Sequence, residues 1–179
     1  CGDTGIYFCT HPFNWSSTNT AFSIRKKGEL DYSSPDYYLF PRGFCWDVAI
    51  SRITSVLPVP EIGDFSEDNC LSLLFYDGGE CLRNLTEHNQ ALQRPRGYSC
   101  EEIGGLAFTQ DNKNYSPERL SVYKPSFISP YGTGSSRYVD VLTMNEGFYV
   151  TWQQSQKNYS QPLVKNFVPM DKVEAILGK

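Results

Sequence analysis

The chain has 179 residues and a mass of 20.3 kDa, with a formal charge of −4, a pI near 5.2, 15 % aromatic and 20 % charged residues. That length closes one ordinary core, and the composition is too apolar for disorder, so a single domain over 1–179 is expected. Scattered basic residues speak against a nucleic-acid partner, and apolar runs of only a few residues fall far short of the ~20 needed to cross a bilayer.

The chain opens at Cys1 without a charged leader or an apolar signal core, which predicts a piece excised from a longer ectodomain. Short β-prone runs recur between Gly, Pro, Ser and Asn clusters, at 5–9, 20–25, 37–40, 45–57, 71–76, 105–109, 120–123, 137–144 and 148–153. This pattern predicts a mainly β, antiparallel domain rather than a helical bundle, with α+β as the alternative class.

Within 70–81, Asp77-Gly78 predicts a hairpin turn, because these residues tolerate the positive φ of a tight turn. Leu74 would then face Cys81. Cys70 would lie about four residues further along at ~3.3 Å each, which disfavours a Cys70–Cys81 disulfide. The other glycine-rich stretches, Gly104-Gly105 and Tyr131-Gly132-Thr133-Gly134, also read as turns; neither fits a phosphate-binding fingerprint.

The clearest pair is 137–144 with 148–153, joined by Asn145-Glu146-Gly147 as a three-residue loop with Gly in the left-handed position. That register sets Met144 opposite Phe148, Leu142 opposite Val150 and Asp140 opposite Trp152. Both faces are rather apolar, so the hairpin is expected to be central and covered.

Helical signals are few, predicting one or two short peripheral helices. One spans 171–178, with Asp171 and Glu174 at capping-box spacing and Gly178 as the stop. The other spans 85–93 and ends ahead of Arg94-Pro95.

Six cysteines (Cys1, Cys9, Cys45, Cys70, Cys81, Cys100) lie within the first 100 residues, and none forms a C-x-x-C pair. An even set without metal spacing predicts disulfide staples of undetermined pairing. Four N-x-S/T sequons occur, at Asn14, Asn84, Asn114 and Asn158. Ten Asn and 28 Ser/Thr would yield roughly 1.6 by chance, so the excess, joined to the cysteines, favours a secreted glycoprotein. All four asparagines are expected to be exposed and outside any contact surface, since a glycan would block it.

Motifs that would fix a reaction are missing. His11 and His88 have no ligand partner at helical spacing and no G-x-S-x-G elbow beside them. The acidic cluster Glu61, Asp64, Glu67 and Asp68 lacks calcium-loop order and reads as a solvated loop, while Glu101-Glu102 is a second cluster whose carboxylates would need a defined separation in space to do chemistry. Arg25-Lys26-Lys27 and Arg94-Pro95-Arg96 are short basic patches of the kind that decorate a solvated face. No cofactor and no metal are implied.

Twelve tyrosines exceed what a core of this size needs, and Tyr suits a surface that binds with little loss of side-chain entropy. Tyr37, Tyr38, Phe40 and Tyr131 are the candidate contact residues. The expected function is an extracellular module attaching to a cell-surface protein or glycan receptor. The alternative is a secreted hydrolase of glycans or esters, its site assembled only in space.

In general make-up the chain resembles the receptor-binding domains of enveloped-virus surface glycoproteins, which are cysteine-rich, sequon-bearing, aromatic β-rich units. The resemblance lies in character across the whole chain, rests on no motif and transfers no residue role. Without heptads or an apolar fusion-peptide-like stretch, it implies the attachment side rather than the fusion side.

Overall fold

The computed structural model describes residues 7–10, 14–17, 45–47, 50–66, 71–79, 102–110 and 117–178; for 7–10, 14–17 and 50 only the backbone is described. Among these residues, nine strands form three antiparallel sheets. Strands β1 (Tyr7–Thr10) and β2 (Asn14–Ser17) make a ribbon. Strands β3 (Ile50–Pro58), β4 (Ser72–Gly79), β5 (Glu102–Thr109) and β6 (Glu118–Arg119) follow in that order as a four-stranded sheet. Strands β7 (Ser136–Met144), β8 (Gly147–Gln154) and β9 (Leu163–Pro169) form a meander that runs into helix α1 (Met170–Leu177).

The protein is therefore mainly antiparallel β with one short helix, as the turn spacing predicts. The predicted strands at 20–25 and 37–40 and the predicted helix at 85–93 lie outside the described residues. Among the described residues, no helix is long and apolar enough to cross a membrane.

The core forms on one face of the four-stranded sheet. Leu74 and Tyr76 alternate along β4 and lie beside Ala107 and Gly105 of β5. Together with Trp46, Ile103 and Ala107 they make one buried cluster, edged by Ile53 and Val56. Trp46 stacks on Tyr76 with ring centroids 5.7 Å apart, and its indole Nε1–H donates to the Ser121 carbonyl at 3.3 Å. Burying each large apolar side chain contributes roughly 1.5–3 kcal/mol, so this cluster anchors the sheet.

The hairpin predicted at Asp77-Gly78 does not form. Strand β4 runs straight through both residues, paired with β3 on one side and β5 on the other. Its glycine, and those of β5, admit side chains instead of turning the chain. A Cβ on Gly78 would lie 2.4 Å from the Trp46 ring, and one on Gly105 would lie 2.2 Å from the Tyr76 ring. Across the sheet, Phe127 sits over Gly104 and stacks on Phe75 at 6.0 Å. The argument against Cys70–Cys81 pairing falls with the hairpin; both cysteines lie outside the described residues.

Of two other predicted strands, one is shorter than expected and one does not form. Cys45, Trp46 and Asp47 precede β3 as a buried turn. The segment 120–123 is not a strand, because the Ser121 hydroxyl accepts the Lys124 N–H at 3.2 Å and bends the chain just after β6.

The predicted β7–β8 hairpin does form, one residue out of the expected register. Met144 pairs with Gly147, Leu142 with Tyr149 and Val141 with Val150, so the loop is the two residues Asn145-Glu146. Gly147 already belongs to the strand, with φ +146, and a Cβ there would lie 2.1 Å from the Val168 carbonyl oxygen. The third strand, β9, absent from the predicted set, imposes that requirement.

The predicted C-terminal helix also forms, but Asp171 does not cap it. Pro169 occupies the cap position in extended conformation with no side-chain cap bond. The Met170 N–H instead donates to the Glu146 carbonyl at 2.8 Å, which ties the helix start to the β7–β8 turn. Gly178 closes the helix as expected, its N–H donating to the Glu174 carbonyl.

Candidate functional site

Three places bring chemistry-bearing side chains together. The first is the joint where β7 crosses β3, β4 and β5. Arg52 Nη2 lies 2.7 Å from both Asp77 Oδ2 and Glu102 Oε1, and Arg137 Nη1 lies 2.6 Å from Glu102 Oε2. Between Arg137 and Asp140 the register slips, and Tyr138 takes a left-handed φ of +56°. That conformation costs a non-glycine residue on the order of 1–3 kcal/mol. It directs the Tyr138 N–H to Asp77 Oδ1 at 2.9 Å and sets the ring between two guanidinium groups, at 4.7 Å from Arg52 and 4.8 Å from Arg137. A charge-assisted hydrogen bond and two cation–π contacts offset the strain.

Asp77 is fully buried, and burial pushes its carboxyl up to about 6 against the opposing pull of Arg52 and the Tyr138 N–H. The Arg52 guanidinium is held above its ordinary value: desolvation opposes this, and the hydrogen bond to Asp77 and the charge of Glu102 outweigh it. Both carboxylates are thus committed to arginines, and the cluster fastens one sheet to the other. A second buried pair, Arg119 Nε to Asp47 Oδ2 at 2.9 Å, lies beside the Trp46 core. Burial, then the Asp47 charge, raises the Tyr76 phenol well above its ordinary value.

The second place is an open depression of about 500 Å³ lined by Tyr131, Gln156, Lys157, Asn158 and Ser160. Its two walls are the 129–135 turn and the β8–β9 loop, and buried serines lock them together. Ser129 Oγ donates to the Ser155 carbonyl at 2.6 Å, and the Thr133 N–H donates to Ser155 Oγ at 3.1 Å. Gly132, with φ +56, lets the turn approach so closely that a Cβ there would lie 2.2 Å from Ser155 Oγ. Lys157 Nζ sits 5.3 Å from the Tyr131 ring centre.

The third place is the outer face of the β7–β9 sheet. Leu142, Tyr149 and Phe167 are aligned in one row across the three strands, with Met144 and Leu163 on the same face. Leu142 is 60 %, Met144 43 %, Leu163 68 % and Phe167 41 % exposed, whereas Phe148 on the opposite face is buried. The hairpin expected to be covered is open on this face, and on the opposite one Phe148 is buried, Val141, Val150 and Trp152 are half-buried and Thr143 is exposed. The meander lies against the larger sheet along β7, which leaves this face outward.

Of the predicted contact residues, the structure describes Tyr131 alone; Tyr37, Tyr38 and Phe40 lie outside the described residues. Tyr131 is 38 % exposed. Of the sequons, Asn158 is exposed, Asn14 is described as backbone in β2, and Asn84 and Asn114 lie outside. Asn158 lines the same depression as Tyr131, so a candidate contact residue and a sequon expected to lie outside the contact surface meet in one place. The buried serines that bring them together are 26 positions apart in the chain and carry no local signal.

Cys45 is buried near Arg119, whose Nη2 lies 3.5 Å from its Sγ. Cys9 is described as backbone in β1, and Cys1, Cys70, Cys81 and Cys100 lie outside the described residues, as do His11 and His88. Glu61 and Asp64 are exposed on a loop and a short 3-10 turn (Gly63–Phe65), as a solvated acidic loop would be. Among the described residues, no group of three or more His, Cys, Asp and Glu side chains is placed to hold a metal ion. Compared with protein-family models, with curated proteins and with solved structures, the chain matches none.

Proposed function

We propose that this chain is the receptor-binding module of an extracellular glycoprotein and attaches to a cell-surface protein through the outer face of the β7–β9 sheet. The observation that carries the proposal is the row Leu142–Tyr149–Phe167, exposed at Leu142 and Phe167 and half-buried at Tyr149, with the exposed Met144 beside it. The next row on the same face, Asp140–Thr151–Lys165, is polar, so the apolar row has the polar fringe of a protein interface. The cysteines, the four sequons and the aromatic content support an extracellular setting. They equally support the narrower proposal that the module serves attachment of an enveloped virus.

The test uses the chain secreted from eukaryotic cells, labelled, and titrated onto a panel of cell types. Leu142→Asp with Phe167→Asp should weaken cell binding at least tenfold, and protease treatment of the cells should abolish it. Binding that survives the double substitution, or that is lost to glycosidase but not protease, overturns the proposal. Turnover on a panel of glycosides and esters would instead favour the hydrolase. Self-association in sedimentation that the double substitution removes would make the face a homodimer contact.

A further inference from the structure

We infer that Asn158 carries an N-linked glycan whose first N-acetylglucosamine lies over Tyr131, within the depression between the two loops. The inference rests on the extracellular reading and deepens it, because it names the occupant of a surface that composition alone assigned to the receptor.

Asn158-Tyr159-Ser160 lies in the β8–β9 loop, and Asn158 is exposed. The Ser160 N–H and hydroxyl both donate to Asn158 Oδ1, at 3.1 and 2.7 Å. The carboxamide oxygen is thereby held against Ser160, and the nitrogen takes no part in these two bonds. Glycosylation is a group transfer from an oligosaccharide activated on a lipid pyrophosphate. The Asn158 nitrogen bonds to the anomeric carbon, the sugar–phosphate C–O bond breaks, the pyrophosphate leaves with the electron pair, and one amide proton is released.

Asn158 is itself part of the wall of the depression, so a sugar attached to it begins inside. Tyr131 offers the ring on which the C–H face of a pyranose stacks, and Gln156 and Ser160 offer hydrogen-bonding groups at the rim. The platform is rigid, because Ser129 and Ser155 lock its two walls through buried hydrogen bonds. A sugar tethered at one wall therefore settles on the other at little entropic cost. Tyr131 then serves the chain's own glycan, and the receptor meets the β7–β9 face.

The test is glycopeptide mass spectrometry of the secreted chain, followed by trimming to a single N-acetylglucosamine and NMR of that residue. Asn158 should be modified, and the sugar protons should show upfield ring-current shifts that vanish in Tyr131→Ala and persist in Tyr131→Phe. The glycan should also raise the Tm of the parent chain over that of Asn158→Gln, and this gain should disappear in Tyr131→Ala. An unmodified Asn158 beside modified Asn14, Asn84 or Asn114 overturns this inference alone. Four unmodified sequons overturn the extracellular reading with it. A modified Asn158 with unshifted sugar protons overturns the stacking.

Discussion

The two larger sheets place the same kinds of residue under opposite conditions. The four-stranded sheet is covered on both faces, by the Trp46–Tyr76 cluster on one and by Phe127 and the charged joint on the other. The β7–β9 meander buries Phe148 on one face and leaves Leu142, Met144 and Phe167 exposed on the other. The first sheet spends its glycines on close aromatic approach and its carboxylates on buried arginine pairs. The second leaves Leu142, Met144, Leu163 and Phe167 exposed, where they contribute little to the stability of the chain. On the proposed reading, the recognition surface rests on a scaffold held elsewhere.

The difference can be broken most severely at the joint. Arg52→Ala leaves Asp77 buried beside Glu102 without its cation, and should cost about 3–5 kcal/mol in chemical denaturation at neutral pH. The same variant should lose less at pH 5, where Asp77 is largely protonated in the folded state.

Next is the pH dependence of the parent chain. Asp77 holds its proton up to about pH 6 when folded and releases it near 3.8 when exposed, so the folded state binds more protons across that interval. Its contribution is fully present below about 3.8 and is lost as the pH rises through 6. The raised carboxyl corresponds to about 3 kcal/mol. The difference in unfolding free energy between the parent chain and Asp77→Asn, measured from pH 7 to 4, should trend in that direction.

Gly105→Ala should cost about 1–3 kcal/mol, because the Tyr76 ring cannot retreat from the new methyl while it is stacked on Trp46. A thermal melt reads that loss directly. Smallest of all, Leu142→Ser on the open face should change stability by about 0.5 kcal/mol or less while reducing receptor binding. A large loss of stability there would show that the face is covered within the molecule, and the contrast between the sheets would fall.

Much of the fold was legible before the structure. Alternation and turn spacing placed β4, β5, β7 and β8 to within a few residues, because a pleated strand with one buried face must repeat every second residue. The candidate site was legible only as separate words: Tyr131 as a loop aromatic and Asn158 as a sequon. Their juxtaposition depends on Ser129 and Ser155 bonding across 26 positions, and serines of that kind look like any loop serine. The joint was less legible still, since Arg52, Asp77, Glu102 and Arg137 come from four different strands.

The sequence by itself determined the antiparallel β class, the C-terminal helix and its Gly178 stop, for these follow from local periodicity and chain-end chemistry. Tertiary structure alone decided what the glycines were for. Gly78 and Gly105 have the local chemistry of a turn, but the space above them is claimed by Trp46 and Tyr76, which lie 32 and 29 positions from their respective glycines. It also decided which apolar face met water, because both faces of the β7–β8 hairpin are similar in composition. Only the docking of β7 against the larger sheet distinguishes them.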